Sequence, residues 1–240
     1  MENGIWISLF SGGKDSSWAL YQALNKGHDV VRLITVHPEE NSYFYHVPGT
    51  HIAQYAAESI GIPLYEIDST ISASTATDST TRGDAEIHEL AEGIKSLQSE
   101  LDATITGIIA GAVESEYQHS RVATMSDDLG MNVFTPLWKR DPETLLRNMM
   151  NNNFEIKIIE VGAKGFDESW LGRTIDEEAI DELLELHEKY GVHILGEGGE
   201  YETLVLNGPH MDQKIQLSYS KIWNDTWGYL DISEASFTTG

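Results

Sequence analysis

Two hydrophobic periods succeed each other along this chain, and their order predicts an architecture. Residues 5 to 10, IWISLF, form a short apolar run between Gly4 and Ser11-Gly12-Gly13, the pattern of a buried strand in a parallel sheet. Beyond that turn Trp18, Ala19, Ala23 and Leu24 share one helical face, and Gly27 closes the segment as a C-terminal glycine would. DVVRLITVHP then reads as a second strand, halted by Pro38. Strand, turn, helix and strand in this order make a right-handed crossover unit.

The unit repeats. THIAQYAAESIGI places Ile52, Tyr55, Ala56 and Ile60 at helical spacing, Gly61 ends it, and PLYEID resumes a strand. Residues 69 to 84 are almost wholly small and polar and predict a loop, either a lid over a site or a plain connector. Ile87, Leu90, Ile94, Leu97 and Leu101 mark an amphipathic helix, and ATITGIIAGAV is a strand that runs into Gly111. Alternation of this kind predicts an α/β protein with a doubly wound parallel sheet.

From about residue 131 the pattern changes. NVFTPLWKRDPETLLRNMM reads as a strand end, a proline turn and a helix begun by Asp141-Pro142. FEIKIIEVGAKGF alternates like a half-exposed strand, and TIDEEAIDELLELHEKYG carries a Thr-x-x-Glu capping box, an apolar face of Ile180, Leu183, Leu184 and His187, and a closing Gly191. GEGGEYETLVLNG and KIQLSYSKIWNDTWGYLDI read as hairpin-like strands. Residues 1–132 are thus expected to form the sheet domain and 133–240 a second, smaller α+β domain.

Composition narrows the chemistry. No apolar run in the 240 residues approaches the ~20 needed to span a membrane, and no secretory signal is visible, so a cytoplasmic protein without a membrane partner is expected. Zero cysteines remove disulfides, thiolate metal sites, thioester chemistry and a persulfide sulfur carrier. Thirty-nine acidic against fifteen basic residues give a net charge of -24, which argues against a nucleic-acid partner. His46 and His51 flank a proline-glycine turn and would help bind substrate or shuttle a proton, but a histidine pair alone is poor evidence for zinc, and no structural metal is expected. Trp223 and Trp227 read as core or interface residues.

A strand that enters a glycine turn and then a helix aims backbone N–H groups and the helix dipole at one point, which suits a phosphate. The turn lacks the Gly-x-x-x-x-Gly-Lys-Ser/Thr of nucleoside triphosphatases and the Gly-x-Gly-x-x-Gly of dinucleotide folds. Ser11-Gly12-Gly13-Lys14-Asp15-Ser16 instead resembles the pyrophosphate loop of the ATP pyrophosphatases, a class that cleaves ATP between its α and β phosphates and adenylates a substrate oxygen. That resemblance implies that Ser11, Gly12, Gly13 and Ser16 cradle pyrophosphate, that Lys14 offsets its charge, and that Asp15 holds Mg²⁺ while ATP is bound. With no cysteine and no positive surface, nitrogen transfer from ammonia or an amine to an activated carboxylate is the remaining chemistry.

GAVESEYQHSRV from Gly111, PLW at 136 to 138, GEGGEYETLVLNGP from Gly196 and YHVPGTH around His46 are together similar to matching segments, in the same order, of the diphthine-ammonia ligase family. The resemblance runs from the first strand to about residue 210. It implies an archaeal or eukaryotic type of enzyme that uses ATP and ammonium to amidate diphthine, a modified histidine on translation elongation factor two. Gly111 and Ala112 would flank the adenosine, while Ser115, Tyr117 and Gln118 would contact substrate and Arg121 would stabilise charge on phosphate. Glu197, Glu200 and Glu202 crowd one glycine-rich turn, where one would deprotonate ammonium and another bind Mg²⁺. Two other readings stand beside this one: a nucleotide sensor of the universal-stress type without turnover, and a ligase for a small metabolite carboxylate. A homo-oligomer is left open.

Overall fold

The computed structural model describes residues 4–37, 49–69 and 79–238. Five parallel strands form the first sheet in the order β3-β2-β1-β4-β5: β1 Ile5–Leu9, β2 Asp29–His37, β3 Leu64–Asp68, β4 Ile105–Ile109 and β5 Asn132–Phe134. The chain builds outward from β1 to β2 and β3, then crosses to the other side for β4 and β5. The order therefore reverses between β1 and β4, and a crevice opens at their carboxyl ends.

Helices α1 (Lys14–Asn25), α2 (Gly49–Ile60), α3 (Ser79–Leu101) and α4 (Glu116–Asp128) connect these strands. The polar stretch expected as a loop over 69–84 is helical from Ser79 onward, because Leu90, Ile94 and Leu97 bury a stripe whose packing carries the helix back through its polar first turns. Residues 70–78 lie outside the described part of that loop, as does 38–48 with His46.

The second sheet has four antiparallel strands in the order β7-β6-β9-β8, with β6 Glu155–Val161, β7 Tyr201–Asn207, β8 Ile215–Asn224 and β9 Trp227–Phe237. The last two form the expected hairpin through Asp225 and Thr226, whereas β7 pairs with the more distant β6. Helix α5 (Pro142–Asn151) starts as expected: the Asp141 side chain accepts from the Thr144 N–H at 2.8 Å. Helix α6 (Glu177–Tyr190) does not use the Thr174 box; Asp176 caps it by accepting from the Ala179 N–H at 2.8 Å. Glu177 is already in the first turn, and the shorter aspartate reaches the third N–H from one residue before it.

One large apolar cluster joins the two halves, running from Phe10, Trp18 and Leu20 to Ile156, Tyr201 and Leu230. At the seam Trp18 meets Phe154 edge-on with ring centroids 5.2 Å apart. A second cluster, with Ile7, Ile94, Leu97 and Met125, fills the opposite face of the parallel sheet. Trp223 packs against the large cluster, while Trp227 is 40 % exposed and stacks on Tyr229. Among the described residues no helix is long and apolar enough to cross a membrane.

Candidate active site

Between Leu9 and Lys14 the chain must pass from strand to helix, and Gly12 makes the turn at φ +80°, where a side chain would be strained. Gly13 is the N-cap of α1 and has no side chain with which to cap it. The Ser16 hydroxyl donates to the Gly13 carbonyl at 3.1 Å and lies 3.2 Å from the Ser11 hydroxyl, which accepts the Gly13 N–H at 3.4 Å. The Lys14 N–H is taken by Thr203 Oγ1 at 3.2 Å. Among the described residues the N–H groups of Asp15 and Ser16 have no acceptor, so the amino end of α1 retains donors at the crevice.

Gly111, just past β4, forms the other wall. A Cβ there would lie 2.8 Å from the Asp15 carbonyl carbon and 2.9 Å from the Ser16 nitrogen, so only glycine allows the exit of β4 to approach the first turn of α1. Ala112 follows, buried. The structure thus brings Ser11, Gly12, Gly13, Asp15, Ser16, Gly111 and Ala112 together at the switch point.

The Lys14 ammonium, assigned from sequence to phosphate oxygens, is turned inward. Its side chain is 5 % exposed; Nζ donates to Asp15 Oδ2 at 2.8 Å and to the Leu195 carbonyl at 2.5 Å, 5.3 Å from the centre of the Tyr201 ring. Burial works against this charge, but Asp15 and then Tyr201 outweigh it and hold the pKa above the ordinary lysine range. The other carboxylate oxygen, Asp15 Oδ1, is buried without a hydrogen-bond partner. An orphaned anionic oxygen beside unclaimed N–H donors fits a cation that arrives with an anionic ligand. Among the described residues no three His, Asp or Glu side chains are grouped to hold a metal by themselves.

Around Lys14 stand further carboxyls. Burial pushes the Glu197 carboxyl up and Asp15 adds to the rise, while Lys14 and the Glu114 backbone pull it back. Burial also raises Glu202, opposed by Lys14 and reinforced by Asp15 and Glu197. Both residues are nonetheless exposed to water. Glu200 is engaged differently: it accepts the His193 N–H and the Gly198 N–H, each at 2.8 Å, and so braces its own turn.

Several participants carry no signal of their own in the sequence. Glu160 on β6 sits directly across from Glu202 on β7, and burial, with Glu202 adding, pushes its pKa up to about 7. His193 accepts at Nδ1 from the N–H groups of Leu195 (3.1 Å) and Glu197 (3.4 Å), which leaves its proton on Nε2, 3.2 Å from Glu114 Oε2. That contact joins the segment after β4 to the second domain. Both pairings depend on register and domain docking, which local patterns do not encode; the one available hint was Glu114, inside the GAVESEY segment.

Arg121 is elsewhere: on α4 it lines a cleft of about 470 Å³ against α3, with Ile87, His88 and Met125, that no residue of the glycine turn borders. Ser115 leads into α4, and its carbonyl accepts the His119 N–H at 2.9 Å. Tyr117 and Gln118 fall in the first turn of α4 and His51 in α2, with side chains outside the described residues.

A doubly wound sheet with a donor-rich glycine turn at its switch point, backed by an antiparallel α+β domain, defines a two-part α/β protein of the kind whose ligands lie at such a crevice. Residues 5–133 match the diphthamide synthase N-terminal domain and residues 141–237 the diphthamide synthase C-terminal domain. The chain belongs to the diphthamide synthase family. It is 37 % identical over 227 residues to the human protein named diphthine-ammonia ligase, covering 90 % of this chain and 83 % of that protein. The protein of the same name from Danio rerio is 36 % identical over 221 residues, 87 % of this chain and 84 % of its own length. The one from Schizosaccharomyces pombe is 33 % identical over 90 % of this chain but only 36 % of its own length. Among solved structures, the U34-tRNA thiolase NcsA from Methanococcus maripaludis is similar at a TM-score of 0.40 and 13 % identity, over 80 % of this chain and 68 % of that one.

Proposed function

We propose that this protein is an ATP-dependent amide-forming ligase. It adenylates the carboxylate of diphthine on translation elongation factor two, transfers ammonia to give diphthamide, and releases AMP and pyrophosphate. The observation that carries this reading is the pair of unclaimed N–H donors at Asp15 and Ser16, beside the orphaned Asp15 Oδ1, in a chain of this family.

The backbone of Ser11, Gly12 and Gly13, the Ser16 hydroxyl and the amino end of α1 bind the β and γ phosphates and stabilise the charge that collects on them as pyrophosphate departs. Gly111 and Ala112 flank the adenosine. Asp15 would hold Mg²⁺, which would supply positive charge to offset the phosphate oxygens and the surrounding carboxylates. The diphthine carboxylate oxygen attacks the α phosphorus and the bond to the bridging oxygen of pyrophosphate breaks. Ammonia then attacks the acyl carbon, AMP leaves, and the amide remains.

Ammonium has no lone pair and must first lose a proton. Glu202 and Glu197, with Glu160 opposite, attract the cation by charge, and their raised pKa makes them stronger bases than ordinary carboxylates. Ser115, Tyr117 and Gln118 at the start of α4, with His46 and His51, are assigned to the protein substrate. The test is product analysis with ATP, Mg²⁺, ammonium and diphthine-bearing elongation factor. AMP, pyrophosphate and conversion of acid to amide are expected; ADP as product, or no release at all, overturns the reading.

A further inference from the structure

We infer that Thr203, a residue of the second domain, is a positioning residue for the nucleotide turn: its hydroxyl supplies the cap that Gly13 cannot, and thereby fixes which N–H groups of α1 remain for phosphate oxygens. The inference rests on the reading of that turn as the pyrophosphate site.

A helix that begins after glycine leaves its first N–H groups without a local acceptor. Thr203 is 6 % exposed, one of few buried polar side chains, and a buried hydroxyl needs a partner. It finds one in the Lys14 N–H, 189 residues away in the chain. Two positions further along β7, the Val205 N–H donates to the Gly12 carbonyl at 2.9 Å. A trans peptide is planar, so holding the Gly12 carbonyl toward β7 turns the Gly13 N–H the opposite way. The Thr203 carbonyl lies 3.4 Å from where a Cβ on Gly13 would stand, so the strand runs in van der Waals reach of the turn.

With the Lys14 N–H occupied, the next two, at Asp15 and Ser16, are the donors left for a ligand. Tyr201 and Thr203 are both buried against α1, and Glu202 stands between them. One strand therefore fixes the aim of the phosphate donors and the place of a carboxylate in the same seven residues.

Valine has nearly the shape of threonine without the hydroxyl, and serine keeps the hydroxyl. T203V is expected to raise the Kd and the KM for ATP about tenfold, as loss of a helix cap allows, with kcat little changed. T203S should return both to within about twofold of wild type. A hydroxyl needed only for folding would move the melting temperature and leave ATP affinity alone. Wild-type affinity in T203V overturns the proposal. Should T203V not fold, T203A and T203S give the same comparison: weak binding in T203A against near-wild-type binding in T203S supports the proposal, and equal affinities overturn it. If wild type itself takes up no ATP by calorimetry, the reading of the turn fails; if it binds ATP and T203V binds equally well, only the role of Thr203 fails.

Discussion

The two glycine-rich turns that meet at the seam have opposite chemistry. At residues 11–16 the backbone presents donors, and besides its own Ser11 and Ser16 hydroxyls the segment is tied down from outside, by Thr203, Val205 and Leu195. At residues 196–200 the side chains present acceptors, and the turn is held from within, by the Glu200 carboxylate folded back on two N–H groups. An anion belongs at the first and a cation or proton at the second. Lys14 lies between them as a buried positive charge that offsets the carboxylates around it. The contrast teaches that proximity of unlike sites needs a screen, and here the screen is part of the loop motif itself.

The contrast breaks most visibly if that screen is removed. K14M leaves Asp15 without its partner and exposes the remaining carboxyls to one another, and should cost about 3 kcal/mol, since a broken buried pair leaves a charge uncompensated. For a chain of this length that is a fall of roughly 6–12 °C in Tm, read by calorimetry. An unchanged Tm would mean that the ammonium is not the tie the geometry makes it. From sequence alone the same substitution would be expected to spare the fold.

A smaller effect should separate the two turns. E200Q turns an acceptor oxygen into an NH₂ that faces a backbone N–H, and should destabilise by about 1–2 kcal/mol in urea unfolding. ATP affinity should not move, because the Glu200 carboxylate accepts from His193 and Gly198 and, among the described residues, bonds nothing in residues 11–16. A loss of ATP binding in E200Q would erase the distinction between a turn braced from within and one held from outside.

A third effect, read as a pH slope, concerns Glu160. Its carboxyl titrates near 4.5 in the unfolded chain and at about 7 in the fold. Between those values the folded state holds the extra proton, so stability falls as pH rises from 4.5 to about 7 and then levels off. E160Q should flatten that slope. Urea midpoints at pH 5 and pH 8 measure it, and an identical slope in wild type and variant would remove Glu160 from the carboxyl group at the seam.

How much of this was legible beforehand follows from the range of each signal. The run IWISLF, the glycine turn and the helical stripe after it are local, and they gave β1, the turn and α1 where the structure has them. Asp141-Pro142 marked α5 for the same reason. The pairing of Glu160 with Glu202 is a matter of register between strands separated by a helix, and a shift of one residue would have put a different side chain opposite. Lys14 looked like a phosphate ligand because the motif names its neighbours in sequence, whereas its partner Leu195 is set by the docking of two domains. Arg121 lines the cleft between α4 and α3, a placement set by how the two helices pack and not by any local pattern. Even the start of α3 was hidden, since Ser79-Thr80-Thr81 has weak helical preference and is carried by packing further along.

The apolar cluster that runs without a break from Phe10 to Leu230 has a last implication. Neither half owns a private interior on that side, so the glycine bend and the acidic strand behind it share a single melting event instead of fraying separately. A nucleotide gripped at one end would then steady the whole molecule against heat in proportion to its concentration, and the grip itself would be lost only when everything else is.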